Sequence, residues 1–571
     1  MRRNRTPFRR VLLCAVWLSG AAFAAPARKP LYEPEPATPA PALSESERAQ
    51  PSRLLPASAR LRYGRDTLAG LPEHPTGGVE MRGWQGERLN AQVLAVSPGG
   101  FEELSVEPLI LTFPDGTRLT ARLDWVRYTL ANGSLVPDIL DGSAPRAFPG
   151  CVRPLWLSVD LPRTCAGTAE GTLRVRINGQ LHTLPVSAHA QPFRLPEPRD
   201  WACHLDLWQH PDAVARWHDV PMWSPAHLAL LKPQMQRLAA MGQKTITATL
   251  IDEAWDGQTY DRFRGMIAAT QRLDGSWAYD YTAFDTWVRF MREEIGLSHA
   301  TIHCYTLVPW SLRFAYYSEA AGRILTPRLQ PGTPEYEAFW GPFLTAFVEH
   351  LRAQGWEADT RLAMDERPDA LLRPAHALAR KYAPSLPIVA ACNAPSDMNS
   401  AFADVSYAYE ISEQLFSIAA ERRAKGHFTT FYVCCFPARP NTFMASTLAE
   451  SEWLLPFAAH CGLDGFLRWA YHSWVENPLH AQDYTAWPSG DTSLLYPGDR
   501  PSLRLEALRN GIETFEKLRL LRLPESPLTA AQRALLEAAL ARFTVSRGAQ
   551  PGGHLEDLEA LDRALDALCT P

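Results

Sequence analysis

The chain changes its rhythm of apolar and polar positions more than once. From about residue 52 to 196 the two alternate in short runs, such as Arg60-Leu61-Arg62-Tyr63, 117–123, and Leu173-Arg174-Val175-Arg176-Ile177. A period of two buries one face of a strand and wets the other. Pro114-Asp115-Gly116, Asn132-Gly133 and Asn178-Gly179 mark turns between the runs. No helical period intervenes. The pattern predicts an all-β domain over 52–196, built as a sandwich. It offers no catalytic constellation, so its expected role is structural or accessory.

A Pro-marked boundary at 190–200 ends that domain. Over 200–523 the rhythm becomes apolar run, loop, helix, repeated. Eight runs read as strands: 203–208, 245–252, 300–307, 361–366, 387–393, 404–410, 429–436 and 465–474. Helical stretches lie between most of them. One is 225–241, with Leu228, Leu231, Met235 and Leu238 on one face; another is 334–354, with Phe339, Phe343, Phe347 and Leu351. Continuous apolar strands alternating with helices imply a parallel sheet covered on both faces. Eight of them predict a closed (β/α)₈ barrel. Over 524–571 the pattern changes again. Thr529 and Gln532 make a capping box before AAQRALLEAALARF, and Pro551-Gly552-Gly553 breaks that helix. Leu555, Leu558, Leu561, Leu565 and Leu568 mark a second helix, which predicts a helical hairpin tail.

The first residues have another character. Arg2, Arg3, Arg5, Arg9 and Arg10 precede an apolar run over 11–23, and Ala22-Phe23-Ala24 fits a small-x-small cleavage site. Residues 1–24 are expected to be a signal peptide, and the mature protein to be exported, periplasmic or secreted. The run is short for a membrane span, and nothing later in the chain reads as one. Residues 25–51 are rich in Pro, Glu, Ala and Ser, which predicts an extended tether.

Composition narrows the chemistry. The 571 residues are 46% hydrophobic, enough for two or three domains. A formal net charge of −5, without basic residues interleaved with aromatics, excludes nucleic acid as the expected partner. No glycine-rich cradle follows a strand, so no nucleotide cofactor is expected. A Gly-x-Ser-x-Gly elbow is missing, against an esterase. The cysteines lack zinc-type spacing with histidine, and no metal is expected. Cys151 and Cys165 are the best local pair for a disulfide, which an exported protein permits.

Barrel enzymes place their sites at the carboxyl ends of the strands. The candidate strands carry His204, Asp206 and Trp208; Asp252 and Glu253; His303 and Tyr305, with Trp310 beyond; Asp365 and Glu366; Asn393; Tyr407, Tyr409 and Glu410; and Arg468, Trp469, Tyr471, His472 and Trp474. Together they would make an acidic cup walled by rings. Sugars need that mixture, with acceptors for hydroxyls and flat apolar surface for ring faces.

The sharpest local feature is Arg361-Leu362-Ala363-Met364-Asp365-Glu366-Arg367-Pro368, a strand running into two adjacent acids. Two crowded carboxylates favour keeping a proton on one of them, which suits a general acid. Asp252-Glu253 follows a strand in the same way. A glycosidase could draw one acid from each pair, and the residues themselves do not rank the two.

From about 201 to 520 the chain resembles the catalytic domain of glycoside hydrolase family 123, also known as DUF4091. The resemblance rests on HLDLWQHP at 204–211, DGSWAYDYTAFD at 274–285, LAMDERP at 362–368, GFLRWAYHSWVENP at 465–478 and SGDTSLLYPG at 489–498. A helix bearing Arg504, Glu506 and Arg509 follows them. The resemblance implies a β-sandwich followed by a (β/α)₈ barrel. It also implies release of terminal β-linked N-acetylgalactosamine by a retaining, substrate-assisted β-N-acetylhexosaminidase without cofactor, acting on an oligosaccharide or glycoconjugate. Glu366 would be the acid and base, and Asp365 would orient the substrate's 2-acetamido group. The tail after 524 and Arg367, where the family often has proline, depart from the pattern. Two other readings stay open: a hydrolase of a different glycan with a distant carboxylate partner, and a carbohydrate-binding protein without catalysis.

Overall fold

The computed structural model describes residues 35–37, 43–73, 77–143 and 148–569. The expected signal peptide lies outside them, with much of the proposed tether. The described parts of 25–51 are anchored, contrary to expectation. The Glu35 carboxylate accepts from Arg65 Nη1 at 2.9 Å and Arg153 Nη1 at 2.6 Å. Ser44 caps a single helical turn, Glu45–Arg48, with a full capping box.

Two sheets form the N-terminal sandwich. The five-stranded sheet runs in the order Arg53–Ala57, Arg88–Val96, Val152–Asp160, Arg122–Ala131, Ser134–Asp141. The other is built on the long pair Gly167–Ile177 and Gln180–Arg194, with Val79–Gln85 along one edge. Their inner faces share one apolar core, in which Val93, Leu111, Leu157, Leu173 and Val175 are buried. Asn132-Gly133 and Asn178-Gly179 are hairpin turns with φ positive at both residues, as that dipeptide favours. Arg60–Tyr63 is a loop, against the expected strand. Its alternation comes from two arginines that reach across the domain boundary: Arg60 to Glu452 and Asp562, and Arg62 to Ser446 O, while Arg62 also pairs with Asp138 of its own domain. Cys151 and Cys165 are free and sit in different apolar clusters. The Cys165 thiol donates to Pro162 O at 2.9 Å.

All eight apolar runs of the second region become parallel strands: His204–Leu207, Thr245–Thr249, Thr301–Tyr305, Thr360–Met364, Ile388–Cys392, Asp404–Ala408, Phe428–Tyr432 and Gly465–Arg468. From the second strand to the eighth, each pairs with the next in chain order, and the last pairs with the first. The barrel closes less completely between the first and second strands. Backbone contact there is one bridge, Leu205 to Gln243, with Lys244 N donating to Leu205 O. Two fully buried glutamine side chains complete the seam. Gln243 accepts from Leu207 N and donates to Leu207 O, at 3.1 and 3.2 Å. Gln209 accepts from Thr247 N at 2.8 Å. A primary amide has both a donor and an acceptor, so it can stand in for a missing peptide group. An unpredicted four-stranded sheet projects after the second and third strands, formed by Ala268–Gln271, Trp277–Asp280, Tyr316–Ser318 and Arg323–Leu325.

Helix Leu448–His460 is buried on nearly all sides, so it is surrounded by protein, and even its Glu450, Ser451 and Glu452 are covered. It packs against helix Leu503–Leu521 at very short range. A Cβ on Gly511 would meet Glu452 O at 2.4 Å, so only glycine fits that crossing. The tail covers another side. Its helices Ala530–Leu540 and Gly553–Leu568 bury Leu536, Leu540, Leu558 and Leu561. Phe543 stacks on Trp453 of the covered helix.

Sandwich and barrel meet on a buried ion pair. Asp138 accepts from Arg504 at 3.0 Å, from Arg62 at 3.1 Å and from Tyr496 Oη at 2.6 Å. These partners outweigh burial and hold Asp138 below the usual carboxylate range. Removing one partner of such a pair leaves the other charged and dry. Asp138→Ala should therefore cost about 3–5 kcal/mol, read as a fall in the denaturation midpoint. A midpoint shift of only a few tenths of a kcal/mol would mean that the domain junction does not depend on this pair.

Candidate active site

The fourth barrel strand ends at Met364, and Asp365 and Glu366 follow where the pleat is released. Both line a pocket at the carboxyl end of the barrel. The remaining wall is Trp208, Trp255, Gln258, Trp310, Ala391, Tyr432, Cys434, Cys435, Leu467, Trp469, Trp487 and Asp491. Trp208 lies against Tyr305 and Trp255, with centroids 4.6 and 5.2 Å away, so ring packing fixes its plane.

Each acid has its own partner. Trp310 Nε1 donates to Asp365 Oδ2 at 2.9 Å. Burial, and then the neighbouring Glu366 charge, push Asp365 up from 3.8 to about 6; the Trp310 bond offsets part of this. Tyr432 Oη donates to Glu366 Oε1 and lies 3.1 Å from Asn393 Oδ1. Burial and the Glu366 charge raise the Tyr432 phenol far above its usual value, so it remains a donor. The Arg367 guanidinium sits over the Trp310 ring, 4.7 Å from its centroid. Arg367 thus braces the ring that binds Asp365, and it does not hold that acid in the ordinary carboxylate range.

Of the expected substrate contacts, the pocket gathers Trp208 and Trp469 beside the two acids. Asn393 is exposed and reaches the site through Tyr432. Tyr305 lies buried behind Trp208. The others are placed elsewhere. His204 begins the first strand and pairs with Asp404, which begins the sixth, at 2.6 Å, so both belong to the amino end of the barrel. Asp206 points inside the barrel and accepts from Thr245 Oγ1. Tyr407 donates to Asn399 Oδ1 in the buried surround of the barrel, and Tyr409 packs on Phe431 and Phe457 beneath the tail. Tyr471 and Trp474 are fully buried and donate to Gln234 O and Leu495 O. Arg468 is buried too, and clamps Asp491 at 2.7 Å together with Val433 O and Thr442 Oγ1. It supports the pocket without lining it.

The competing acids are bound to other groups. Asp252 accepts from Arg262 Nη2 at 2.9 Å and Gly265 N at 2.8 Å, and Glu253 lies 3.8 Å from the same arginine. Burial, and then the Glu366 charge, raise Glu410, which sits outside the pocket lining. The sequence reading missed Tyr432 and Asp491 as site residues. Tyr432 lies inside the predicted strand 429–436 and ends the observed one, and Asp491 lies within SGDTSLLYPG, so both signals were present without being separated from their neighbours. Trp255, Gln258 and Trp487 sit on loops, where no periodicity points to them.

The arrangement can hold a sugar ring between tryptophans and present two unlike carboxyl groups to it. One solved structure has the same architecture. A family 123 glycoside hydrolase from Clostridium perfringens, described for glycolipid glycan hydrolysis, superposes with a TM-score of 0.83 at 22% identity, covering 91% of this chain and 98% of that one. The Parabacteroides merdae β-glucuronidase aligns over 74% of this chain and 50% of its own, at 10% identity and a TM-score of 0.30. No curated protein sequence matches the chain. The model of the glycoside hydrolase 123 catalytic domain matches residues 208–521, more than half of the chain. That span carries the paired acids and every residue of the pocket, and by it the chain belongs to glycoside hydrolase family 123.

Proposed function

We propose that this glycosidase releases terminal β-linked N-acetylgalactosamine, or a closely related 2-acetamido sugar, by a retaining, substrate-assisted route. The supporting observation is the adjacency of Asp365 and Glu366 in one pocket with unlike partners. Neighbouring acids cannot stand on opposite faces of a sugar ring, as a nucleophile and an acid must in the two-carboxylate scheme. They can both serve a substrate that brings its own nucleophile. Glu366 protonates the glycosidic oxygen. Asp365 accepts the acetamido N–H and orients the acetamido oxygen toward the anomeric carbon. The bond to the leaving group breaks as the cyclic oxazolinium-like intermediate forms. Glu366 then takes a proton from water, which opens the ring with net retention. Asp491, fixed by Arg468, offers an acceptor for a sugar hydroxyl, and the tryptophans cover the apolar ring face.

The test is a set of β-linked aryl glycosides differing at C2 and C4, with product stereochemistry followed by NMR. Fast turnover of the 2-acetamido galactoside with a β-anomer first product is expected. An α-anomer first product would reject the route. The same reading gives a pH dependence. Asp365 must be anionic to accept the acetamido N–H, and its pKa is raised to about 6. Activity should therefore fall as pH drops through about 6, and kcat/KM, which reports the free enzyme, should show that limb. An acid limb near the ordinary 3.8 would exclude Asp365 from the role. We also propose export with cleavage after Ala24. Intact-mass measurement of protein from the exporting cell tests it, and a retained Met1 would reject it.

A further inference from the structure

The seventh barrel strand ends at Tyr432, the partner of Glu366, and two cysteines follow almost at once. Cys434 and Cys435 both line the pocket with Asp365 and Glu366, and their sulfurs are 3.8 Å apart. Asn441, fully buried, donates to Cys434 O at 2.9 Å and to Pro437 O at 2.7 Å, which holds this loop in place. Cys435 is exposed and Cys434 half-buried, whereas Cys151, Cys165, Cys203, Cys304, Cys392 and Cys461 are buried. The adjacent Cys434 thiol, hydrogen-bonded to Cys435, draws the latter below the usual thiol range, while Cys434 itself is raised. Cys435, the exposed sulfur, is the one an incoming disulfide reaches first, and the Cys434 sulfur 3.8 Å away is placed to resolve.

We propose that Cys434 and Cys435 form a vicinal dithiol site that takes a disulfide oxidant and closes into a ring within the pocket wall. The Cys435 thiolate attacks one sulfur of the oxidant R–S–S–R, whose S–S bond breaks to release one thiolate. Cys434 gives up its proton, and its sulfur attacks Cys435 Sγ, expelling the second thiolate. The two released thiolates end as two thiols, one taking the Cys434 proton and the other the proton that Cys435 had lost. The pair is oxidised by two electrons and the oxidant reduced by two. Cα atoms of adjacent residues are about 3.8 Å apart, closer than the roughly 4.4–6.8 Å of most disulfides. The ring is therefore strained, and strained, exposed disulfides are the readily reversed ones. Closure replaces two movable thiols with one rigid apolar surface beside Glu366, so substrate affinity depends on the state of the pair. That last step rests on the glycosidase reading of the pocket; the chemistry of the pair does not.

Purified protein is treated with oxidised glutathione or with dithiothreitol, alkylated with N-ethylmaleimide and mapped by peptide mass. After oxidation the peptide containing both cysteines should lack maleimide and glutathione and be lighter by two hydrogen atoms; after reduction it should carry two maleimides. Two maleimides, or a retained glutathione, after oxidation would overturn the site. The KM of the aryl glycoside should shift several-fold between the two states of the wild type and not in Cys434→Ser/Cys435→Ser. Ring closure with the same KM in both states would overturn the role in the pocket wall. The mass readout decides on the dithiol site even for a protein inactive on every glycoside tried.

Discussion

Glu366→Gln is expected to lower turnover of an unactivated glycoside by roughly 10²–10⁴-fold, the usual worth of a general acid. Glutamine keeps the size and still accepts from Tyr432, but it has no proton to give. Because Tyr432 engages Oε1, the transferable proton belongs on Oε2. The loss should shrink when the leaving group is a good anion, since such a group departs without protonation. Equal losses for poor and good leaving groups would remove Glu366 from the proton transfer. Residual activity carries a second signature. The Glu366 charge is one of the two causes that raise Asp365, so without it the acid limb should move to lower pH.

Asp365→Asn should fail differently. It leaves Glu366 able to donate, but replaces the anion that accepts the acetamido N–H and balances the developing cation. A loss on the order of 10²–10³-fold is expected, comparable to removing one preorganised electrostatic partner. A good leaving group should not restore it. A thiazoline mimic of the cyclic intermediate should bind the wild type tightly and this variant weakly, because binding energy concentrates on the transition-state-like form. A substrate with hydroxyl in place of acetamido at C2 should be turned over poorly by both. If the wild type hydrolysed it as fast as the 2-acetamido substrate, the nucleophile would have to come from the protein. Stability supplies an independent check. A carboxyl whose folded pKa is raised from 3.8 to about 6 binds more protons folded than unfolded, so the native state loses stability as pH rises through that window. Asparagine removes this cost, up to about 3 kcal/mol for a two-unit shift. Asp365→Asn should then lose most of its activity yet be no less stable at neutral pH.

The architecture was legible because both domains are written in strong periods. The alternation over 167–177 and the eight apolar runs each have one structural solution once both faces of the second sheet must be covered. The acid pair was legible for the same reason: the apolar run Leu362-Ala363-Met364 is buried in the strand, and the two acids stand where it ends. The wall was harder. Polar and aromatic residues on a barrel strand serve its amino end, its interior or its mouth, and the sequence does not mark which. His204 and Asp206 precede Trp208 on one strand, yet they bind at the base and in the interior while the tryptophan reaches the pocket. Arg468 and Trp469 are neighbours, and one is a clamp while the other is a wall. Trp255 and Trp487 arrive on loops, whose course follows from contacts distant in sequence.

At seven junctions of the barrel, neighbouring strands are joined by peptide groups that every residue possesses, so those joints are indifferent to the side chains they carry. The eighth is not. Between the first and second strands one backbone bond, from Lys244 N to Leu205 O, is joined by bonds through the carboxamides of Gln209 and Gln243. Closure of the ring is therefore partly a genetic property, encoded at two codons, and a leucine of similar volume at either would erase a joint that the same change elsewhere would leave intact. Trp208 and His210, which flank Gln209, belong to the pocket wall and its backing. Inheritance of the site and inheritance of a closed barrel are thus tied to one short stretch of chain.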